Sequence, residues 1–263
     1  MKIKRYAAGV EYFGTKYKGW QIQKSTDDTI QSRIDKALSK IADSEIKSTC
    51  AGRTDSGVNA LSQVIHFDSE KKRTLKAWTE GCNSILPDDI KFIWVKKVSD
   101  DFHARFSAFK RTYKYIVLNK KNTSIFYKNR TLHIKDKIDL EIMKEASKYL
   151  IGEKDFTSFR SSGCQSKSPM RKVYEINISK KKDLITFEIS ANAFLLNMVR
   201  IIVGTLLEFG LENRNPNSMK SIIEGCDRSL SGKTIASDGL YFIGPEYPSE
   251  FKIKKPPLKY QIL

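Results

Sequence analysis

The spacing of hydrophobic residues changes several times in the first hundred positions and predicts six elements. Strand-type runs cover residues 3–13, 46–49, 62–68 and 90–97. Between them, apolar residues recur at helical spacing in two places, which are Ile30, Ile34, Ala37, Leu38 and Ile41, then Leu75, Trp78, Cys82 and Ile85. Asp28 and Gln31 form a capping box that predicts the start of the first helix. The order βαββαβ is that of a ferredoxin-like (split βαβ) unit.

The order of strand, helix and hairpin recurs more weakly after residue 110. A strand is predicted at 113–119, a helix from Ile138 to Leu150, a hairpin at 173–179 and 184–190, a helix from Phe194, and a last strand at 238–243. Residues 155–170 have little regular patterning, which is typical of functional or mobile loops. We predict an α+β fold of two ferredoxin-like units, 1–109 and 110–263. They would share a mostly antiparallel sheet, with helices on one face and a central cleft.

The charge of the chain indicates a polyanionic partner. Lys and Arg number 47 against 30 acidic residues, a net charge of +17, and aromatic residues make up 11%. Phosphates attract such cations and bases stack on such rings, so we predict that the cleft binds nucleic acid, rather than that the protein is generally basic without a polyanion partner.

Two further features bear on where the protein acts. The four cysteines contain no close pair, so neither a zinc framework nor a redox Cys-x-x-Cys motif is predicted. The first residues contain no apolar signal region, and the most hydrophobic window, 193–210, contains Asn197, Arg200 and Glu208. We predict a cytoplasmic protein without a membrane span.

Residues 50–60, Cys-Ala-Gly-Arg-Thr-Asp-Ser-Gly-Val-Asn-Ala, carry the strongest candidate chemistry. Gly52 and Gly57 allow close approach of the backbone to a ligand, and a strand follows at once. Asp55 is the candidate nucleophile or general base. The competing interpretation is an aspartate that only forms a turn.

The other candidates are cations and aromatic rings. Tyr113, flanked by Arg111 and Lys114, is a candidate for stacking on a base, whereas Tyr115 is predicted to lie in the core. The loop at 12–21 is interpreted either as an RNA contact or as packed aromatics.

Three cations in or next to the irregular segment suit phosphate contacts, although a solvated loop explains them nearly as well: Arg160, Lys167 and Arg171. Arg200, in an apolar helical stripe, needs a partner, for which Asp55 is the natural carboxylate. A surface Arg that extends to water is the alternative.

The sequence resembles the TruA family of transfer RNA (tRNA) pseudouridine synthases nearly end to end. The motifs that carry the resemblance are Tyr-Lys-Gly-Trp-Gln at 17–21, Ala-Gly-Arg-Thr-Asp at 51–55, Asp-Phe-His-Ala-Arg-Phe at 101–106, Asp-Phe-Thr-Ser-Phe at 155–159, Asn-Ala-Phe at 192–194, Met-Val-Arg at 198–200 and Gly-Leu-Tyr at 239–241. Two places depart from it. Asn59 stands where the family usually has His, and Leu196-Asn197 stands where it often has His.

The resemblance implies conversion of uridine to pseudouridine at positions 38, 39 and 40 of the anticodon stem-loop, by a homodimer without cofactor or metal. It makes Asp55 the essential aspartate. Arg53 would displace the target base, Tyr113 would stack on it, Arg200 would pair with Asp55, and Leu240 would line the pocket.

Two other functions compete with this one. A non-catalytic RNA-binding or chaperone protein would use the same cations, but Asp55 among phosphates would weaken plain binding. A metal-dependent nuclease is disfavoured because residues 50–60 offer one carboxylate and no cluster of Asp, Glu or His.

Overall fold

The structure is a computed structural model that describes residues 3–254, which form ten β-strands and five α-helices. The strands pair mostly antiparallel, so the predicted α+β class is confirmed. The chain separates into two compact units: residues 112–240 form the second, and the segments on either side form the first. The predicted division at 109/110 differs in that the last strand, from Tyr241, belongs to the first unit, because it pairs with a strand there.

The first unit has the strand order of a split βαβ fold. Its elements are β1 (Lys4–Tyr12), α1 (Ile30–Ala42), β2 (Thr49–Cys50), β3 (Asn59–Ser69), α2 (Leu75–Asn83) and β4 (Ile90–Lys97). Strand β1 lies between β3 and β4 and is antiparallel to both, while the short β2 pairs with the outer side of β3. The final strand, β10 (Leu240–Glu246), runs parallel to the first residues of β3.

Aromatic side chains hold α2 on this sheet. Trp78 is fully buried, and its ring centroid lies 5.7 Å from that of Tyr6 on β1 and 5.1 Å from that of Phe67 on β3. Burial of three such rings contributes several kcal/mol through lost apolar surface alone. The first unit therefore has its own core between α2 and the strands β1 and β3.

The predicted capping box of α1 is wrong. The helix begins at Ile30, so Thr29 is the N-cap, and its hydroxyl accepts a hydrogen bond from the Ser32 amide. Asp28 instead pairs with Arg33, and the side-chain Nε2 of Gln31 donates to the Ser48 carbonyl. Threonine is one of the residues preferred at an N-cap, and the backbone at Thr29 is extended as a cap requires.

The elements of the second unit are β5 (Lys110–Asn119), β6 (Leu132–Ile134), α3 (Leu140–Lys148), β7 (Gly152–Asp155), β8 (Met170–Lys181), β9 (Leu184–Ala191), α4 (Met198–Glu212) and α5 (Ser218–Glu224). Its sheet has the strand order β5-β9-β8-β7, with β6 on the other side of β5. Three of these, β6, β7 and α5, were not predicted from the hydrophobic pattern. They are only three to seven residues long, too short for a periodic signal.

Helix α4 is the central helix of the second unit and is buried along most of its length. It was predicted to begin at Phe194, but Asn197 has a φ of 60°, and this left-handed conformation delays the helix to Met198. Within residues 3–254 no helix has both the length and the apolar character needed to cross a membrane.

Candidate active site

Asp55 lies in the loop 51–58, which connects β2 to β3 in the first unit. Gly57 has a φ of 79°, a conformation that favours glycine, and the Val58 amide donates to the Asp55 carbonyl over 3.2 Å in a tight turn. Asp55 is half-buried and Arg53 is exposed. The loop therefore presents a carboxylate and a guanidinium near solvent on a defined turn.

The backbone on the inner side of this loop is held by a buried hydroxyl pair. Thr54 is 6% exposed, and its Oγ1 shares a hydrogen bond of 2.7 Å with the hydroxyl of Tyr12 at the end of β1. The Thr54 carbonyl also accepts the Trp20 amide over 2.9 Å. Gly19 has a φ of 90°, and a Cβ there would lie 2.8 Å from that carbonyl, so only glycine fits this contact.

Two further side chains fix the start of the loop. Gln63 on β3 donates from Nε2 to the Gly52 carbonyl over 2.7 Å, and Arg111 donates from Nε to the Ala51 carbonyl over 3.1 Å. Arg111 is buried and also donates to the carbonyls of Ala108 and Arg105. The sequence alone assigns neither Gln63 nor Arg111 a role, because the residues that they contact lie 11 and 60 positions away in the chain.

The loop at 12–21 supports Asp55 with packed aromatics, the second of the two interpretations given above. Tyr17 is 6% exposed and Trp20 is 1% exposed. The Tyr17 hydroxyl donates to Asp89, and its carbonyl accepts the Ser56 hydroxyl over 3.1 Å. These rings are therefore part of the scaffold that supports the loop 51–58.

Asn59, a departure from the family pattern, is a structural residue here. It is 1% exposed, and its Oδ1 accepts the Gly14 amide over 2.8 Å. It also pairs with Tyr241 where β10 meets β3. The side chain of Asn59 thus joins residue 14 to the start of β3, and its backbone pairs there with β10.

In the second unit the two tyrosines of β5 differ in their surroundings. Tyr115 is fully buried and its hydroxyl donates to the Ala236 carbonyl over 2.7 Å, so its predicted core position is confirmed. Burial raises the pKa of Tyr115 far above its ordinary value, so the hydroxyl stays neutral. Tyr113 is 8% exposed and packs edge-on against Phe194, with 5.0 Å between ring centroids. Leu240, at the end of this unit, is buried.

Arg200 lies in the first turn of α4 and is oriented by neutral acceptors. Its Nε donates to the Ile235 carbonyl over 2.6 Å and its Nη1 donates to Oδ1 of Asn197 over 2.9 Å. The amide of Asn197 in turn donates to the Ser161 hydroxyl over 2.9 Å. The asparagine that departs from the family pattern thus positions Arg200 directly.

Residues 232–236, which we call the strap, hold the Ile235 carbonyl against α4. The Gly232 amide donates to Thr205 Oγ1 over 2.9 Å, and the Lys233 amide donates to Glu208 Oε1 over 3.0 Å. A Cβ on Gly204 would lie 2.1 Å from the Lys233 carbonyl oxygen, so helix and strap touch through glycine. The strap therefore sets the position of Arg200 through Ile235.

Of the three predicted phosphate-binding cations, Arg160 and Lys167 lie in the segment before β8, and Arg171 is the second residue of β8. Arg160 donates from Nη2 to the carbonyls of Cys164 and Ser166, each over 2.9 Å, and Arg171 donates to Ser166 Oγ over 2.6 Å. Arg160 and Arg171 are thereby brought together, while Lys167 is exposed and bonds to neither. No group of three or more His, Cys, Asp or Glu side chains in residues 3–254 is arranged to hold a metal ion.

Comparison with known proteins decides the family. A family model described as tRNA pseudouridine synthase matches residues 8–107 and 146–248. The chain belongs to this family. The enzyme is 47% identical to a tRNA pseudouridine synthase A of Colwellia psychrerythraea, covering 95% of this chain and 96% of that one. Proteins of the same name from Francisella tularensis subsp. novicida and Buchnera aphidicola are 44% and 46% identical, over 98% and 96% of this chain and 99% and 95% of theirs.

The enzyme is thus an isomerase that converts uridine to pseudouridine in tRNA, as the resemblance predicted. A solved structure of a Cbf5-Nop10-Gar1 complex aligns at a TM-score of 0.37 and 10% identity, over 90% of this chain and 48% of that one. At so low a score the likeness supports no conclusion.

Proposed function

We propose that the enzyme modifies uridines 38, 39 and 40 of the anticodon stem-loop and that Asp55 is the reacting carboxylate. The observation that supports Asp55 is the way its loop is built. Four buried or half-buried groups, Tyr12, Trp20, Gln63 and Arg111, bond to Thr54 or to the backbone of residues 51–54, so the carboxylate is presented by a preorganised turn. Such preorganisation is what catalytic positioning requires.

The reaction breaks the bond between N1 and C1′, rotates the uracil, and joins C5 to C1′. In one route the carboxylate attacks C1′; in the other it removes the proton from C2′ and a glycal forms. Both routes require Asp55 to be ionised, and neither changes the oxidation state. The base must leave the stack, which costs a few kcal/mol.

The remaining site residues offset that cost in this proposal. Arg53 takes the place of the displaced base, and Tyr113 stacks on the flipped uracil with Leu240 beside it. Arg200 pairs with Asp55 and keeps the carboxylate ionised. The bonds of Arg200 to Asn197 and Ile235 support this role, since they use neutral acceptors and leave its positive charge uncompensated by those groups.

In this proposal Arg160, Lys167 and Arg171 contact backbone phosphates of the tRNA. The protein acts as a homodimer in the cytoplasm. The net charge of +17 supports a phosphate-led interaction, whose affinity falls steeply as salt is added.

Replacement of Asp55 tests the assignment. We expect Asp55→Ala and Asp55→Asn to abolish tritium release from tRNA labelled at C5 of uridine while tRNA binding is largely retained. Asp88→Asn is the matched control, because Asp88 is an exposed aspartate of the same unit. Wild-type turnover in Asp55→Asn would overturn the role of Asp55. Mapping of pseudouridine in tRNAs that carry a single uridine at 38, 39 or 40 tests the positions, and product elsewhere would overturn them.

Tyr113 is tested by a pair of substitutions. Because stacking uses the ring, Tyr113→Phe should retain most of the turnover and Tyr113→Ala should lose it. Equal losses in both variants would assign the function to the hydroxyl instead.

A further inference from the structure

An open cavity of about 640 Å³ lies within the second unit. Its lining is Thr157, Arg160, Ser161, Ser162, Gly163, Cys164, Arg228 and Thr234. Two of these residues are guanidinium cations, four carry hydroxyls, and none is an acid. The amino-acid sequence alone does not single out Arg228, because it lies some seventy positions from Arg160 and in a segment without a motif.

Both cations of this cavity are held by neutral groups. Arg228 donates from Nη1 to Ser231 Oγ over 2.8 Å and from Nη2 to Thr234 Oγ1 over 3.0 Å, and Arg160 donates to two carbonyls. Among the residues that the structure describes, no carboxylate forms an ion pair with either guanidinium. The two guanidinium groups are therefore fixed in place without a paired carboxylate, as in an anion-binding site.

This positive charge contributes to the shifted pKa values of two neighbouring side chains, Cys164 and Arg171. Burial opposes ionisation of Cys164, but the amides of Leu196 and Ser166 together with Arg160 outweigh it, and the pKa of the thiol is lowered. The pKa of Arg171 is lowered, first by burial and then also by the charge of Arg160. A region that stabilises a thiolate and opposes a further cation also favours a bound anion.

The walls of the cavity also hold Arg200. Ser161 accepts from Asn197, which in turn accepts from Arg200. Thr234 precedes Ile235, whose carbonyl accepts from Arg200 Nε. An anion bound here would therefore lie next to the segments that orient an arginine of the proposed active site.

We propose that this cavity binds a backbone phosphodiester of the tRNA, with Arg160 and Arg228 as its cationic ligands and the Ser161 and Ser162 hydroxyls as neutral donors. Guanidinium pairs suit phosphate oxygens, and the substrate of the family is a polyanion. The inference rests on the proposed function only in that the bound strand is the one whose uridine reacts. Free inorganic phosphate has the same chemistry and is the competing source of the anion.

The salt dependence of tRNA binding tests the cavity. The slope of log K against log salt is negative, and loss of one phosphate contact should decrease its magnitude by about 0.7 to 0.9. We expect this decrease for Arg228→Gln and for Arg160→Gln, and a retained slope for Arg228→Lys, which keeps the charge. Arg73→Gln is the control, since Arg73 is an exposed arginine of the first unit that donates to the Ile41 carbonyl. Thermal unfolding confirms that each variant is folded.

The outcomes distinguish tRNA from free phosphate as the source of the bound anion, and they distinguish failure of this site from failure of the proposed positions 38 to 40. An unchanged slope in folded Arg228→Gln overturns the site. If inorganic phosphate at constant ionic strength stabilises the wild type more than Arg228→Gln while the tRNA slopes are equal, the cavity takes a free anion and the RNA assignment is overturned. A decreased slope together with pseudouridine outside positions 38 to 40 supports the phosphodiester site and overturns only the proposed positions.

Discussion

Removal of the Tyr12 hydroxyl should destabilise the loop 51–58, because it removes a hydrogen bond to Thr54. The hydroxyl shares its 2.7 Å bond with Thr54 Oγ1, and both residues are buried. Burial raises the pKa of Tyr12 far above its ordinary value, so at neutral pH the group is an uncharged hydroxyl. Tyr12→Phe leaves the Thr54 hydroxyl buried without this partner, which costs about 1–3 kcal/mol. Thr54→Val should cost a similar amount.

The two substitutions together should cost less than the sum of their separate effects. The double variant removes both polar groups at once and leaves neither unsatisfied, so we expect a coupling free energy of about 0.5–3 kcal/mol. Urea unfolding followed by circular dichroism measures the free energies. Tritium release measures turnover, which should fall by up to about 100-fold in Tyr12→Phe if the carboxylate moves by about 1 Å.

Tyr127→Phe is the control for loss of a tyrosine hydroxyl. Its hydroxyl makes no hydrogen bond to any other residue of the described range, and it lies in the second unit. We expect its stability and turnover to match the wild type. Strict additivity of Tyr12→Phe and Thr54→Val would refute the reasoning, because it would show that the two hydroxyls do not act as a pair.

Three further predictions follow from buried groups. Burial, then the charges of neighbours, lowers the pKa of His66 to about 4, so the unfolded state binds more protons between pH 6.5 and 4. The free energy of unfolding should fall by roughly 3 kcal/mol across that window, and a curve for His66→Gln as steep as that of the wild type would contradict this. Burial raises the pKa of Asp35 to about 6, so ionised Asp35 destabilises the fold above pH 6 and this penalty disappears as the pH falls to 3.8. Asp35→Asn should therefore stabilise the protein at pH 8 by up to about 3 kcal/mol and far less at pH 4 in urea unfolding, and destabilisation at pH 8 would be the contrary result. Gly204→Ala places a Cβ 2.1 Å from the Lys233 carbonyl, so the strap must shift. The free energy of unfolding should fall by about 1–3 kcal/mol, and turnover should fall as well. Wild-type kinetics would show that the strap does not position Arg200.

The elements with a long periodic pattern were predictable from the amino-acid sequence. The order βαββαβ, the helix at Leu75 and the strand at 90–97 are confirmed, because each buries one face and repeats its apolar positions. Boundaries were less well predicted where a single residue decides them. Thr29 rather than Asp28 caps α1, and the left-handed Asn197 delays α4 to Met198. Those choices depend on backbone angles, which the hydrophobic pattern does not encode.

The candidate site likewise has features that are local in the sequence and features that are not. The glycine-flanked Asp55 loop was found from adjacent residues, and the family followed from motifs that are each contiguous in the chain. The supports of that loop were not found, because Tyr12, Gln63 and Arg111 contact it across long separations in sequence.

The amino-acid sequence by itself therefore determined the α+β class, the excess of cations, the Asp55 loop and the family, since all of these are local or summed properties. Only the tertiary structure decided that β10 joins β3 in the first unit, that Asn197 and Ile235 orient Arg200, and that Arg228 meets Arg160 at one cavity. The physical reason is that packing and hydrogen bonding bring together groups far apart in the chain, and a contact of that kind leaves no periodicity behind.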